Sequence, residues 1–137
     1  MTRHPDFADV VDGRRPVLVV RQDERHVAWL AERPVRPGHV IVATRAVIDS
    51  VFDLSPEANG ALWAFVHSVA NTMRERMPCE RVCVSVIGWV VRHAHVHLVP
   101  TDAPGQVPGL DGPPLPPDEM AAIAARLAGP SDQARSR

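Results

Sequence analysis

Three histidines recur at every second position of one short segment: His93, His95 and His97. Successive side chains of a β-strand point to opposite faces, so this spacing places all three imidazoles on one face. The residues between and after them are apolar and suit the packed face of the same strand: Ala94, Val96 and Leu98. Pro100 removes a backbone donor, so we expect the strand to stop there. The pattern predicts a row of imidazoles along one strand.

Three explanations of this row are open. It can be a chance cluster, since the chain has seven histidines, although strict alternation on a strand-like background is a positional pattern. It can bind a metal, since neutral imidazole is a favoured ligand of zinc and copper. The outer two histidines lie roughly 13 Å apart along a straight strand, so at most two neighbours would share one zinc ion.

The third explanation is nucleophilic catalysis on a phosphate ester or anhydride, whose phosphorus, oxygens and leaving group extend along several neighbouring side chains. A free histidine of pKa about 6.5 is roughly three-quarters neutral at pH 7, and neighbouring imidazoles disfavour its protonation further. The middle ring, His95, is then a usable nucleophile that needs no metal.

The rest of the chain predicts an antiparallel sheet with one long helix. Short apolar runs indicate strands at residues 16–21, 26–31, 39–43 and 81–87. Ser55 and Pro56 open a helix whose apolar residues recur at three- and four-residue steps as far as Pro78. We expect the strand at 81–87 to lie beside the histidine strand, with Gly88 in the bend between them.

Both ends of the chain are less regular. Residues 1–15 predict a loose arm or a short helix around Phe7 to Val11, and residues 101–117 a proline-rich surface loop. A short helix is expected at residues 118–128. We predict a single domain over residues 1–130 and a disordered tail over residues 131–137.

Composition excludes several classes of protein. The net charge of −1 argues against a nucleic-acid coat or a polybasic membrane binder, and no apolar run approaches 18 residues. The first residues lack the apolar core of a signal peptide, so we expect a cytoplasmic protein. The two cysteines, Cys79 and Cys83, do not have the spacing of a zinc knuckle and are interpreted as structural.

Two motifs together resemble the histidine-triad (HIT) family of nucleotide hydrolases and transferases. One is the His-x-His-x-His row followed by two apolar residues and proline, and the other is Pro37-Gly38-His39 at the start of a strand. The resemblance covers roughly residues 17–101. It implies an α+β, HIT-like fold, with an antiparallel meander sheet of about five strands packed by one long helix.

The resemblance also implies roles for individual residues. His95 would attack the phosphorus bonded to a nucleoside, giving a covalent nucleotidyl-histidine. His97 would hydrogen-bond the phosphoryl oxygens, and His93 would hold the tautomer of the nucleophile through the strand's backbone. His39 would support the triad, or be a hydrogen-bonded histidine near the sheet edge. Trp29 falls where the family has a wall for the nucleobase, with core packing as the equal alternative. No cofactor is implied.

This sequence departs from the family pattern at two substrate contacts. Ala31 stands where an Asp or Asn usually holds the ribose hydroxyls, and Trp89 stands where a Gln often precedes the triad. The alternative function is therefore a nucleotide-binding or partner protein with lost or diverged catalysis; a metal-dependent hydrolase comes third.

Partners follow from the same resemblance. The expected ligand is a small nucleotide or nucleotide derivative, such as an adenosine phosphoramidate, and not a nucleic acid or a membrane. Small HIT proteins are commonly homodimers, so a homodimer is predicted. Many also carry an N-terminal cysteine pair for structural zinc, which this sequence lacks, so no such metal is predicted.

Overall fold

The chain forms one antiparallel sheet with helices on both faces, as the computed structural model shows for residues 6–107 and 109–128. The strands are β1 (Val19–Gln22), β2 (His26–Leu30), β3 (Val40–Thr44), β4 (Arg81–Ser85) and β5 (His95–Thr101). The helices are α1 (Phe7–Val11), α2 (Pro56–Arg76) and α3 (Pro117–Ala128), with a 3₁₀ turn at Val51–Asp53. The predicted tail, residues 131–137, lies outside the described residues, and the domain boundary at residue 130 stays a prediction.

The strand order is β1-β2-β3-β5-β4, and every neighbouring pair is antiparallel. The predicted α+β fold, with five antiparallel strands and one long helix, is thereby confirmed. Only β1, β2 and β3 follow one another as a simple meander. Helix α2 then carries the chain to the far edge, where β4 lies, and β5 returns between β3 and β4. The histidine strand is therefore flanked by a strand on each side.

The long helix begins where the sequence predicts. The Ser55 side chain accepts a hydrogen bond from the Ala58 amide at 3.1 Å, and Pro56 occupies the first turn, where a missing N–H costs nothing. Helix α2 packs on one face of the sheet, and α3 lies beside it. The core of this face includes Val96 and Leu98 of β5 together with residues of both helices: Leu62, Phe65, Val66, Ile123 and Leu127.

The opposite face carries the histidines and is covered by α1. This helix buries Phe7, Val10 and Val11 against apolar side chains of β2 and β3: Val27, Trp29, Ile41 and Ala43. Alternation along β5 therefore divides its side chains as predicted, with the apolar residues toward α2 and the imidazoles toward α1.

Two predictions about the histidine strand are wrong. The strand begins at His95, and His93 lies in a bend, where its imidazole hydrogen-bonds the carbonyl of Thr44 at the end of β3. The strand also continues through Pro100, which pairs with Val82. The pairing of β5 with β3 ends at Leu98, before Pro100 is reached. On that side the Pro100 carbonyl accepts a hydrogen bond from Arg36 instead. The N–H that proline lacks would point to the same side, so no hydrogen bond of the sheet is lost.

The chain between β4 and the triad is irregular. The predicted strand at residues 81–87 ends at Ser85, and residues 86–92, here called the rim loop, form no regular element. Gly88 adopts a φ of +79°, the left-handed region that favours glycine, and the bend lies just after it, at residues 89–91. The loop leads the chain back from the sheet edge to His93.

Candidate active site

His95 opens β5 with one ring nitrogen already engaged. Its Nδ1 lies 2.6 Å from the backbone carbonyl oxygen of His93, and a carbonyl only accepts, so Nδ1 carries the proton and donates. The neutral ring then holds its lone pair on Nε2. Within the described part of the chain, that Nε2 has no hydrogen-bond partner. Every fully buried polar side-chain atom there has one, so Nε2 of His95 is not fully buried. The geometry presents a neutral imidazole nitrogen with a free electron pair.

His39 and His97 form a second hydrogen-bonded unit. The amide of Val35 donates to Nδ1 of His39 at 3.1 Å, so this nitrogen is unprotonated. Nε2 of His39 therefore carries the proton and donates to Nδ1 of His97 at 2.9 Å. The proton of a neutral His97 must then sit on its own Nε2. This chain of bonds makes Nε2 of His97 a hydrogen-bond donor, and the ring of His95 is its neighbour, with the two ring centroids 4.9 Å apart.

Burial keeps these rings neutral. Burial lowers the pKa of His39 to about 4, opposed by the charge of Asp111. Burial also lowers the pKa of His97 to about 3, with further lowering by His95 and His39. The pKa of His95 is lowered by burial first; the bond to the His93 carbonyl opposes this, and the His93 ring adds to it. All three rings are therefore neutral at pH 7, as the tautomers above require.

A glycine and a proline place His39 at the start of β3. Gly38 has a φ of +89°, and a Cβ built there would lie 2.9 Å from Cε of Met77 and 3.0 Å from Cγ of Pro100. Only glycine fits both the dihedral and the space. The Pro37-Gly38-His39 motif thus turns the chain tightly enough to bring His39 against His97.

A cavity of about 220 Å³ opens beside His95. His93 and His95 line it, together with residues from the start of the 3₁₀ turn and from the rim loop: Asp49, Ser50, Val51, Val86, Ile87, Gly88, Trp89 and Arg92. His95 is only 6% exposed, but it lines this cavity and is not enclosed in the core.

Phe7 is a neighbour of His95 that the sequence analysis did not identify. Its ring stands edge-on to His95, with centroids 4.9 Å apart, and edge-on to Trp29 at 5.0 Å. The signal was present: Phe7, Val10 and Val11 have the spacing of one apolar helix face in an otherwise polar arm. Helix α1 therefore forms part of the wall around the triad.

Trp29 is not brought to the open cavity. Its side chain is 2% exposed and packs in the cluster beneath α1. Of the five candidate residues, His93 and His95 line the cavity. The His97 ring lies next to His95 and is bonded to His39, whereas Trp29 packs against Phe7.

The two departures from the family pattern have different surroundings. Ala31 is buried in the α1 cluster, and the adjacent Glu32 pairs with Arg15 at 2.7 Å, so neither is placed as a free acceptor for a ribose. Trp89 is 79% exposed and lines the cavity from the rim loop. Ala31 thus lies on the side of the histidine row that α1 covers, and Trp89 lies on the side that is open to solvent.

Metal ligands are not assembled in the described residues: no group of three or more His, Cys, Asp or Glu side chains there is arranged to hold an ion. The site histidines use their nitrogens to bond one another and backbone groups instead. Cys79 and Cys83 are both half-buried free thiols. In the same described ranges, no helix is both long and apolar enough to cross a membrane.

Known proteins with similar sequences are HIT proteins. An uncharacterized HIT-like protein of Saccharolobus solfataricus is 28% identical over 100 residues, which cover 69% of this chain and 72% of that protein. A bis(5'-adenosyl)-triphosphatase of Dictyostelium discoideum is 27% identical over 73 residues, about half of each chain.

Solved structures share the fold. A hypothetical histidine triad nucleotide-binding protein from Sulfolobus tokodaii superposes with a TM-score of 0.83 at 18% identity, covering 96% of this chain and 93% of that one. A zinc-bound histidine triad family protein from Mycobacterium smegmatis gives a TM-score of 0.74 at 24% identity, covering 95% and 94%. The sequence profile of the HIT domain matches residues 13–103, about two-thirds of the chain. With its histidine row, its Pro-Gly-His turn and this match, the chain belongs to the HIT family, which includes nucleotide hydrolases and transferases.

Proposed function

We propose that this protein cleaves a nucleotidyl bond, a phosphoanhydride or phosphoramidate, through a covalent nucleotidyl-His95 intermediate. The observation that carries the proposal is the hydrogen bond from Nδ1 of His95 to the His93 carbonyl, which leaves a lone pair on Nε2 of a residue that lines the cavity. The similarity to a bis(5'-adenosyl)-triphosphatase supports nucleotide chemistry of this kind.

The first step is attack of Nε2 of His95 on phosphorus, with departure of the leaving group. The product is an N-phosphorylated imidazolium, whose positive charge rests on a ring that still donates through Nδ1 to the His93 carbonyl. A charge-assisted donor forms a stronger hydrogen bond than a neutral one, so this contact strengthens as the intermediate forms. Water or another acceptor then attacks phosphorus and restores neutral His95.

His97 supplies the hydrogen-bond donor. The hydrogen bond from His39 to Nδ1 of His97 keeps the proton of His97 on Nε2. In the proposed complex this N–H donates to a non-bridging phosphoryl oxygen. Removing one such preorganised donor typically costs about 10²–10³ in rate. His39 is a positioning residue in this mechanism, because it acts through His97 and not on the substrate.

No metal takes part in the proposed mechanism. The imidazolium and the His97 donor supply the positive charge and the hydrogen bond that the phosphoryl group requires. Trp29 remains a proposed nucleobase contact, and it needs the Phe7 ring to move aside, since the two rings pack edge to face at 5.0 Å.

The test is to trap the intermediate. The protein is mixed rapidly with adenosine 5'-phosphoramidate or diadenosine triphosphate, quenched and measured by intact mass, and steady-state turnover is followed in parallel. We expect one added adenylyl group on the wild type and none on His95→Ala, with turnover lowered by roughly 10³-fold or more. His67→Ala is the matched control, because His67 is an exposed histidine of α2 remote from the triad in the sequence.

Two results would contradict the mechanism. Equal turnover by wild type and His95→Ala would remove His95 from it. Nucleotide binding with no added mass and no turnover would support the alternative, a nucleotide-binding protein with diverged catalysis, as the Ala31 and Trp89 departures suggest.

We also propose a homodimer that joins through the β4 edge of the sheet. Strand β4 is an edge strand, and its Val84 is 46% exposed, so a second copy can cover apolar surface and pair an open edge. Light scattering at micromolar concentration tests this: twice the chain mass of 15.0 kDa is expected, and a single-chain mass would refute it.

A further inference from the structure

The amide that fixes the tautomer of His39 comes from a segment without regular structure, residues 32–38. This segment contains Pro34 and Pro37, and neither proline has an N–H to donate to a neighbouring strand. The Val35 amide nevertheless donates to Nδ1 of His39 at 3.1 Å. Since no strand pairing holds Val35, other contacts must keep its amide in place.

The proline-rich loop that joins β5 to α3, residues 102–116, supplies such contacts. The Gly112 amide donates to the Arg33 carbonyl at 3.0 Å, and Nε of Arg33 donates to Oδ1 of Asp111 at 2.9 Å. The loop is itself fixed by Leu115, which packs against the core that α2 and α3 share with the sheet. It is therefore attached two residues before the amide described above.

Gly112 leaves no room for a side chain at this attachment. A Cβ built on it would lie 2.3 Å from the carbonyl oxygen of Pro34 and 3.2 Å from Cα of Val35. The φ of Gly112 lies outside the left-handed region, so space alone, and not the backbone dihedral, requires glycine here.

The peptide group that Gly112 touches is the same one that bonds His39. The carbonyl of Pro34 and the amide of Val35 belong to one planar unit, and in its trans form the C=O and the N–H point in opposite directions. Gly112 therefore lies against the carbonyl side, while Nδ1 of His39 accepts from the amide side. Because the unit is rigid, any movement of the carbonyl turns the amide with it.

We propose that the proline-rich loop positions the active-site histidines: Gly112 and the Asp111–Arg33 bond hold the peptide whose amide fixes His39 and, through it, His97. Gly112 is a positioning residue, since it touches this peptide and not the substrate. The inference rests on the proposed function, in which Nε2–H of His97 donates to a phosphoryl oxygen.

The first variant adds a methyl group at the contact. In Gly112→Ala the new Cβ and the Pro34 oxygen must separate by about 1 Å to reach van der Waals contact. We expect kcat for adenosine 5'-phosphoramidate to fall by at least about tenfold, since a misplacement of about 1 Å can cost about 10²-fold in rate. KM should change by less than about threefold, because neither Gly112 nor His39 touches the substrate in the proposed complex.

Gly109→Ala is the matched control. It adds the same methyl group three residues earlier in the loop, where the described part of the chain has no atom within 4 Å of the new Cβ apart from its neighbours in sequence. This variant should keep the kcat and KM of the wild type. A comparable fall of kcat in Gly109→Ala, or no fall in Gly112→Ala, would overturn the inference.

The second variant loosens the loop without adding a clash. Asp111→Ala removes the acceptor of the Arg33 bond, and both side chains are more than half exposed, so the fold should persist. We expect kcat to fall by about threefold, with KM again little changed. Asp111→Asn keeps an acceptor oxygen but no charge and should recover most of the rate. Equal losses in the two variants would trace the effect to the charge and would count against the inference.

The tautomers separate this inference from the proposed mechanism. Long-range ¹H–¹⁵N spectra of the free protein give the shifts of both ring nitrogens of His39 and His97 and need no turnover. In the wild type both rings should carry their proton on Nε2. In Gly112→Ala we expect the two shifts within each ring to approach one another as the tautomers mix, while His67, exposed on α2, does not change. Such a change would support the inference even if His95→Ala retained turnover. Unchanged shifts together with a lower kcat would mean that the loop acts elsewhere, and would refute it.

Discussion

The histidine row and the rim loop are consecutive in sequence but opposite in character. In the row, His93, His95 and His97 are buried, and each has a ring nitrogen in a hydrogen bond. In the loop, Ile87, Trp89 and Val90 are apolar, and more than half of each is exposed.

The contrast bears on where the chemistry can take place. In the proposed mechanism, the nucleophile and its donor must keep their positions to within about 0.5 Å, and a strand with hydrogen-bonded rings can hold them that closely. The departures from the family pattern at Ala31 and Trp89 therefore leave the geometry of the row intact.

After the loss expected for His95→Ala, the largest effect is expected from breaking the hydrogen bond from His39 to His97. His39→Leu leaves Nδ1 of His97 without its donor, so the ring is free to adopt the other tautomer, in which Nε2 carries no proton. We expect kcat/KM to fall by roughly 10²–10³-fold. His39→Gln keeps an N–H at the position of Nε2 and should recover most of the rate. Equal losses in the two variants would show that His39 acts by packing alone.

Sequence alone predicts the parts of the site that depend on local geometry. Alternation with period two correctly assigns His95 and His97 to one face and Val96 and Leu98 to the other, because that period is a property of the strand itself. The Pro-Gly-His motif likewise points to His39, since the positive φ of Gly38 is a property of the local backbone.

Contacts between segments that are distant in sequence could not be predicted from such local patterns. Phe7 meets His95 although 88 positions separate them, and the insertion of β5 between β3 and β4 depends on the whole sheet. The backbone carbonyls of His93 and Thr44 fix two tautomers, and every residue type has such a carbonyl. Cellular location stays a prediction.

The next prediction concerns the free energy of unfolding at acid pH, which depends on the low pKa values of His39 and His97. In the unfolded chain histidines take up protons below about pH 6.5, whereas the pKa of His39 is about 4 and that of His97 about 3 in the fold. Because the unfolded state binds more protons in this range, stability is lost as the pH falls from 6.5 toward 4. For one such group the loss is about 3 kcal/mol at pH 4.

Urea unfolding at pH 7 and pH 4.5 measures this loss, and the His39→Gln variant is the comparison. Glutamine does not titrate, so the variant should lose less stability on acidification than the wild type. Parallel pH dependence in the two proteins would mean that other groups, such as carboxylates, account for the acid sensitivity.

A smaller effect compares two valines six positions apart, one in each region. Val96 is completely buried against α2, whereas Val90 is 61% exposed on the rim loop. Val96→Ala should destabilise the fold by about 2 kcal/mol, from two lost methyl groups and the space they leave. Val90→Ala should change it by less than about 0.5 kcal/mol. Equal losses would show that the loop is packed in solution.

The smallest effect concerns the ion pair that neutralises the cavity. Asp49 and Arg92 are each about half exposed, and such pairs contribute about 0–1 kcal/mol, so Asp49→Asn should leave the unfolding free energy nearly unchanged. It also leaves the Arg92 guanidinium without its carboxylate, giving the cavity one uncompensated positive charge. We expect kcat/KM for diadenosine triphosphate to rise by roughly threefold at low salt and this gain to shrink at high salt, while adenosine 5'-phosphoramidate, whose leaving group is uncharged, shows no gain. Asp49→Glu keeps the charge and should behave as the wild type. A gain for both substrates would mean that Arg92 acts on the phosphoryl group they share, and the rim loop would then contribute to chemistry.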